Sequence, residues 1–246
     1  MSAASLSQKN RITGGLVDHN QPLGFRFDGQ HYTGFAGDTL ASALLANNVR
    51  LVGRSFKYHR PRGILTAGSE EPNALVTIGD GAYQDPNSRA TTAQLFDGMT
   101  AKSQTKMGLL SFDLMAVNDF LSPLLGAGFY YKTFMWPAAF WEKLYEPIIR
   151  KAAGLGSLSG LADPDQYDKG YLHCDLLVIG SGPSGLMAAL AAAKSGLQII
   201  LADEDFCLGG RLNAERQEID GMESAAFAES CLAQLAAMDN VRILSK

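Results

Sequence analysis

The chain of 246 residues has very little sulfur to work with. Its three cysteines are Cys174, Cys207 and Cys231, so nothing before residue 174 can supply a thiolate. An odd, scattered set without C-x-x-C spacing excludes a disulfide framework and a zinc ribbon, and predicts small core residues in a reducing compartment. An excess of positive charge is also lacking. With 21 Lys+Arg against 25 Asp+Glu the net charge is −4, which gives no general attraction for nucleic acid. No apolar run approaches the ~18 residues of a membrane span. The aromatic-rich stretch 107–149 is interrupted by Asp113, Asp119, Lys132, Pro123 and Pro137. The N-terminal MSAASLSQKNRI has no apolar h-region, which sets the expectation of a cytoplasmic protein without an export signal. There is no Ser/His/Asp grouping and no metal-ligand set, so no catalytic residue and no metal site are expected. His59 in particular has neither a nucleophile nor a carboxylate beside it in sequence.

What the chain does have is one organising stretch, Asp175 to Arg211, DLLVIGSGPSGLMAALAAAKSGLQIILADEDFCLGGR. Leu176 to Ile179 has the composition of a strand buried on both faces. Gly180-Ser181-Gly182-Pro183-Ser184-Gly185 then reads as G-x-G-x-x-G. Its glycines serve a tight turn, the approach of a pyrophosphate, and close packing of helix on strand. Pro183 suits the first helical turn, and Leu186 to Lys194 is a strong helix former ending at Ser195-Gly196. Leu197 to Ala202 predicts a second buried strand. Asp203, eighteen residues beyond Gly185, stands where the fingerprint places an acceptor for the adenosine ribose hydroxyls. Leu208-Gly209-Gly210-Arg211 resembles the second glycine pair of flavin-type domains. Arg211 either reaches the nucleotide or pairs with Glu204 or Glu215. The acidic run Asp203-Glu204-Asp205 opposes a 2′-phosphate and so disfavours NADP. NAD and FAD both remain compatible, with Gly209-Gly210 by itself favouring FAD. After residue 215 a helix is expected over Ala225–Met238 and a strand over Val241–Leu244.

The N-terminal part has a different pattern. Residues 1–10 are small and polar and are expected to be disordered. Phe25 and Phe27 alternate with polar neighbours, Asp28-Gly29 follows, and His31 to Phe35 resumes, which is a hairpin signal. Asp38 is the expected N-cap of a helix carrying Leu40, Ala43, Leu44 and Val49. Hairpin followed by helix is how a plant-type ferredoxin β-grasp domain begins, with Leu75–Ile78 as a later strand. Between them lies a basic loop, RLVGRSFKYHRPRG (50–63), which could bind phosphate, an acidic partner or single-stranded nucleic acid, or simply be solvated. Plant-type ferredoxins place cluster cysteines after the first helix. Here the loop RGILTAGSEEPNAL (62–75) offers serine, glutamate and asparagine instead, so the domain is expected to be cluster-free. Short helices broken by proline are expected across 107–149, whose aromatic residues suit a domain core or a subunit contact. Ala152–Gly160 reads as a flexible linker, and Asp163-Pro164-Asp165 as a turn.

The segment GFAGDTLASALLANNVRLVGRSFKYHRPRGILTAGSEEPNALV, together with VIGSGPSGLMAALAAAKSG and LADED, resembles the start of heterotetrameric sarcosine oxidase α subunits. The resemblance runs from about residue 11 onward, with RSFKYHRPRG its most specific part. Opine oxidase and hydrogen cyanide synthase subunits are looser relatives of the same layout. The resemblance implies an α/β and α+β chain: a cluster-free β-grasp domain (11–100), an aromatic-rich helical connector (101–170) and a Rossmann-type dinucleotide-binding domain (171–246). It implies NAD on this chain, held by Gly180, Ser181, Gly182, Pro183, Ser184, Gly185, Asp203, Glu204, Gly209, Gly210 and Arg211. It further implies FAD, FMN and tetrahydrofolate elsewhere in an assembly with β, γ and δ subunits, and a contact between the aromatic stretch and a partner. The activity implied is oxidation of sarcosine to glycine, with electrons passed to oxygen and the one-carbon unit passed to folate. Such subunits continue into a folate-binding half, so the chain is expected to be a truncated piece of a longer subunit.

Overall fold

The computed structural model describes residues 8, 10–12, 15–123, 125–128, 134 and 136–246. The expectation for residues 1–10 therefore lies almost wholly outside the described residues, as do Phe129, Tyr130 and Tyr131. The chain divides into two compact units, Met1–Asp165 and Gln166–Lys246.

In the first unit, β1 (Asp18–Phe27) and β2 (Gln30–Ala36) form the expected hairpin. Asp28 and Gly29 both take positive φ, 48° and 82°, as a two-residue turn of this hand requires. Helix α1 (Leu40–Ala46) follows, with β3 (Gly53–Arg54) paired to β4 (Pro61–Arg62). Strands β5 (Leu75–Ile78), β6 (Asp85–Arg89) and β7 (Met99–Ser103) complete a sheet of order β2-β1-β7-β5-β6. Its central pair, β1 with β7, is parallel, and the flanking pairs are antiparallel. Inward-facing Phe25, Phe27, Val76, Met99 and Ala101 meet Leu40, Ala43 and Leu44 of α1 in one core. This is the β-grasp arrangement the alternation and the Asp-Gly turn predict.

Asp38 is not the cap of α1. That place belongs to Thr39, whose hydroxyl accepts from Ser42 N (3.1 Å) while the Ser42 hydroxyl accepts from Thr39 N (3.0 Å), a reciprocal capping box. Asp38 lies one residue earlier and is fully buried. Arg11 donates to both of its oxygens (3.0 and 2.7 Å), and Phe35 N and Ser42 Oγ complete the set. A burial that complete needs a charged partner, so Asp38 became the anchor of the N-terminal segment and left the cap to its neighbour.

The expected short helices are present as α2 (Val117–Phe120) and α3 (Glu146–Ala152), with tight 3-10 turns at Leu114–Ala116 and Ala138–Phe140 and a wider π turn at Trp141–Tyr145. No helix among the described residues is long and apolar enough to cross a membrane. None of the described aromatic residues of this stretch is buried: Phe112 is exposed, and Phe120 and Trp136 are 85% and 83% so. Nor is Ala152–Gly160 a free linker. Gln104 Nε2 donates to Gly154 O (3.2 Å), Gly156 N to Asn87 Oδ1 (3.0 Å) and Gln84 Nε2 to Ser157 O (2.7 Å), which fixes the strip along the β6–β7 side.

The second unit is a parallel sheet of order β12-β9-β8, made of β8 (Leu176–Ile179), β9 (Ile199–Ala202) and β12 (Val241–Leu244). Helix α4 (Pro183–Lys194) crosses from β8 to β9 and α5 (Ser224–Ala236) precedes β12, with the small pair β10 (Glu218–Ile219) and β11 (Met222–Glu223) between. Val178, Ile199 and Leu201 pack on Leu186, Ala189, Leu190, Phe227, Ala228 and Leu235. The prediction that β8 is buried on both faces fails. It lies at the sheet edge, and Leu177 and Ile179 on the face away from α4 are exposed, Ile179 by 81%. Its middle neighbour β9 is buried as predicted.

Truncating Asp38 to Ala leaves Arg11 and two donors without an acceptor, and should lower the stability of the first unit by about 3–5 kcal/mol. The exposed pair Lys102–Asp80 supplies the contrast: Lys102→Ala should leave the stability almost unchanged, because solvent screens an exposed pair. Urea unfolding followed by circular dichroism measures both.

Candidate dinucleotide site

The site is built where β8 ends. Gly180 turns the chain with φ 95°, and Gly182, with φ −63° and ψ 177°, is the N-cap of α4, with Pro183 in the first turn. A Cβ on Gly185 would overlap the carbonyl oxygen of Gly180 and touch Val178 Cγ1 at 3.4 Å, so α4 lies on the strand only because that position is glycine. Around Gly182 a Cβ would meet nothing within 4 Å. The three glycines thus divide into a turn, an open space and a close contact.

The second glycine pair comes back to the first. Gly209 and Gly210 both have positive φ, and a Cβ on Gly210 would lie 3.0 Å from Gly182 Cα. Ser181 joins the pieces: it is buried, its N–H and hydroxyl both donate to Asp203 Oδ2 (2.5 Å each), and its oxygen accepts from Gly209 N (2.9 Å). Leu212, buried just beyond, fixes the turn Gly210–Asn213 onto the helices. The fingerprint pattern places Ser181 without giving it a task; here it is the knot between the two loops and the acid.

Asp203 closes β9, with Oδ1 accepting from Asp205 N (2.9 Å). Burial raises its pKa, but the hydrogen bonds from Ser181 and Asp205 outweigh that and hold it below the ordinary carboxylate range. Asp205 goes the other way, pushed up by burial and then by the charges of Asp203 and Glu204. Asp203 is turned inward, so Glu204 is the exposed carboxylate of the run; Ser184 is exposed at the start of α4. Arg211 pairs with Glu215, its Nε 2.5 Å from Oε1. Burial also pushes the thiols of Cys207 and Cys231 up, so neither is poised as a thiolate. Among the described residues no group of three or more His, Cys, Asp or Glu is arranged to hold a metal ion.

One pairing escaped the sequence reading. His59 does have a carboxylate: its Nδ1 lies 3.1 Å from Asp113 Oδ2, with both side chains buried. Asp113 also accepts from Met107 N and Met115 N. Burial raises its pKa, and the Met107 amide, His59 and the Met115 amide outweigh that, leaving it lowered. The partners are 54 positions apart, so nothing local announces them. Other side chains of the basic loop are engaged in the same way. Arg54 donates to Leu110 O (3.0 Å) and His59 O (2.9 Å), Arg60 pairs with Asp119, and the Tyr58 hydroxyl donates to Leu125 O (3.0 Å). Much of what reads as a loop for an external anion is a clamp on residues 107–126.

Comparison with known proteins agrees with this division. Residues 20–106 match the family described as "2Fe-2S iron-sulfur cluster binding domain", and residues 175–237 match "FAD dependent oxidoreductase". The sarcosine oxidase subunit alpha of Rhizobium meliloti (strain 1021) is 60% identical over 94% of this chain. That of Corynebacterium sp. (strain U-96) is 34% identical over 96%. The chain is related to the α subunits of sarcosine oxidase. It corresponds to the N-terminal portion of the Rhizobium protein and spans 23% of that protein's length, and 20% of the Corynebacterium protein's. The relatives are thus subunits of an oxidoreductase. A crystal structure of L-proline dehydrogenase from P. horikoshii matches with a TM-score of 0.52 at 20% identity, covering 93% of this chain and 34% of its own, which speaks to the fold alone. The glycine cradle fits a dinucleotide, since Gly182 leaves the space a pyrophosphate needs at the N-terminus of α4. A cluster of the first family's kind does not fit the residues present: 20–106 contains no cysteine, and its loop is filled by the carboxylate of Glu71.

Two glycine variants separate fold from binding. Gly185→Ala should cost the second unit about 1–3 kcal/mol, because backbone must move to admit the methyl group. Gly182→Ala should fold with stability within ~0.5 kcal/mol of the parent, and thermal unfolding compares them. Asp203 adds a pH dependence. With its pKa depressed on folding, its contribution is complete above the unfolded value near ~3.9 and is lost as pH falls through the lower folded value. Ser181→Ala should flatten that acid limb.

Proposed function

We propose that this chain is the cofactor-binding N-terminal part of a sarcosine oxidase α subunit. In this reading it has a cluster-free β-grasp domain over 11–100, an aromatic-rich connector over 101–170 and an NAD-binding Rossmann-type domain over 171–246. The assembled enzyme would oxidise sarcosine to glycine in the cytoplasm, form hydrogen peroxide and pass the methyl-derived carbon to tetrahydrofolate. FAD and FMN would serve it from outside this chain's residues, together with β, γ and δ subunits. The observation that carries the reading is the meeting of two glycine loops at the N-terminus of α4, with open space at Gly182 and an acidic run beside it. The exposed rings of Phe112, Phe120 and Trp136 support a partner contact for the connector.

In this chain NAD would be held rather than reduced. Gly180, Gly182, Gly185 and Gly210 would give the pyrophosphate its approach to backbone N–H groups, with Ser184 exposed beside it. Glu204, the exposed acid, is the residue best set to accept from ribose hydroxyls, while Asp203 keeps Ser181 and the loops in place. A bound dinucleotide supplies hydride chemistry, but among the described residues no side chain around the cradle is arranged to activate a substrate. Nucleotide would therefore stabilise the fold by mass action. The close Gly210–Gly182 approach, together with the FAD-oxidoreductase match over 175–237, favours a second reading: a stand-alone or opine-oxidase-like FAD-dependent oxidoreductase subunit.

Calorimetric titration of the intact α subunit should give NAD an affinity at least ~30-fold above NADP, about 2 kcal/mol, because the acidic run repels a 2′-phosphate. Equal affinities would remove the carboxylates from the recognition. A flavin spectrum from this unit alone would decide for the second reading. Anaerobic turnover with sarcosine should form no NADH; its appearance would end the structural role.

A further inference from the structure

The loop joining β4 to β5 folds around one side chain. Glu71 is 2% exposed. Its Oε2 accepts from Leu65 N (2.8 Å), Thr66 N (2.6 Å) and the Thr66 hydroxyl (3.2 Å), and its Oε1 from Asn73 N (2.8 Å) and Ala74 N (3.3 Å). Four main-chain amides, two from each arm of the loop, converge on one carboxylate. Burial alone would raise its pKa, and the amides of Thr66, Asn73 and Leu65 outweigh that and keep it low. Converging amides of this kind form an anion-binding nest.

The family that matches residues 20–106 is described by a different anion, an iron–sulfur cluster. Plant-type loops space their first three cysteines as C-x4-C-x2-C. That spacing fits this loop in more than one register, on Leu65, Glu70 and Asn73 or on Thr66, Glu71 and Ala74, and in each of these two of the positions are residues that offer amides to Glu71. Hydrogen bonds to sulfur are part of how such a cluster is held and tuned. We propose that Glu71 occupies the anion site of this loop in place of a cluster, the four amides forming a nest whose ligand is the chain's own carboxylate. The inference rests on the cluster-free reading above. The nest is also braced from outside: the Thr91 hydroxyl donates to Gly68 O (2.7 Å) and Ala90 N to Ala74 O (2.9 Å). An emptied nest therefore keeps its shape and takes a small external carboxylate.

Amide hydrogen exchange on the full chain tests this. In Glu71→Ala the amides of Leu65, Thr66, Asn73 and Ala74 should exchange about ten-fold faster or more, the factor equivalent to ~1.4 kcal/mol. Core amides of β1 and β7 should not change. Excess formate should slow the four amides again, and chloride at equal ionic strength should not. Glu71→Gln sets an NH2 group against amide donors and should show fast exchange with no formate response. Unchanged exchange in Glu71→Ala, or no effect of formate on it, overturns the proposal. The parent chain gives a check that needs no variant: by carbon-13 carboxyl titration Glu71 should ionise below the ordinary glutamate range, and ordinary titration overturns the nest. Stoichiometric iron and acid-labile sulfide in the parent protein would instead overturn the cluster-free reading itself.

Discussion

An ionised carboxylate can leave water only where other donors replace the hydrogen bonds it gives up, and the loops of this chain are shaped by that requirement. Asp38 gathers Arg11, Phe35 N and Ser42, and so ties the N-terminal segment and the hairpin to α1. Glu71 draws together the two arms of the loop before β5. Asp113 brings the basic loop onto residues 107–115 through His59 and two amides. Asp203 holds Ser181 and, through it, Gly209. Each of these acids links segments that no strand or helix connects. The cost of leaving any one of them unpaired, several kcal/mol, selects a single loop conformation. The cores fix where the strands and helices lie, and the acids fix how the chain passes between them.

This explains which parts of the structure were legible in the sequence. Hairpin, α1, α4, β9 and β12 are written in local signals: alternating Phe25 and Phe27, Asp28-Gly29, the alanine-rich run after Pro183, and turn residues at Ser195-Gly196. The glycine fingerprint is local as well, and its geometry follows from the absence of Cβ at Gly180, Gly185 and Gly210. What could not be read was long-range. Asp38 looked like a cap because aspartate before a helix usually is one, and only the distant Arg11 gives it another task. His59 looked isolated because its carboxylate is 54 residues away. The aliphatic run of β8 looked doubly buried because composition records apolarity and not the number of layers around a sheet. In the loop after β4 the residue types alone exclude thiolate ligands, but the role of Glu71 depends on how Leu65 and Ala74 come to face each other.

A β-grasp domain can lose its cluster without losing its fold because the two are held by different parts of the chain. From residues 63–74 the core of Phe25, Phe27, Leu40, Leu44, Val76 and Met99 draws Ala74 and, partly buried against it, Ile64, one at each end of the loop. The sheet and α1 therefore do not depend on what sits inside the loop. In the proposed reading the loop would need only a negative centre of the right reach, which the Glu71 carboxylate among its four amides would supply.

The dinucleotide cradle follows the same logic of a site completed before its ligand arrives. The donors and acceptors of Ser181, Asp203 and Gly209 satisfy one another, and Gly210 is already seated against Gly182. In the proposed reading, binding would require little reordering, and most of the contact free energy would remain available for affinity and, by linkage, for stability. A cradle of this kind recognises what NAD and FAD have in common, the pyrophosphate and the adenosine ribose. Discrimination between them must come from residues that meet the nicotinamide or the flavin, beyond the reach of the glycine loops. The fingerprint could therefore be complete in sequence and in space and still leave the nucleotide undecided, whereas in the proposed reading the acidic run at Asp203-Glu204-Asp205 would stand at the ribose end and, through the exposed Glu204, oppose a 2′-phosphate.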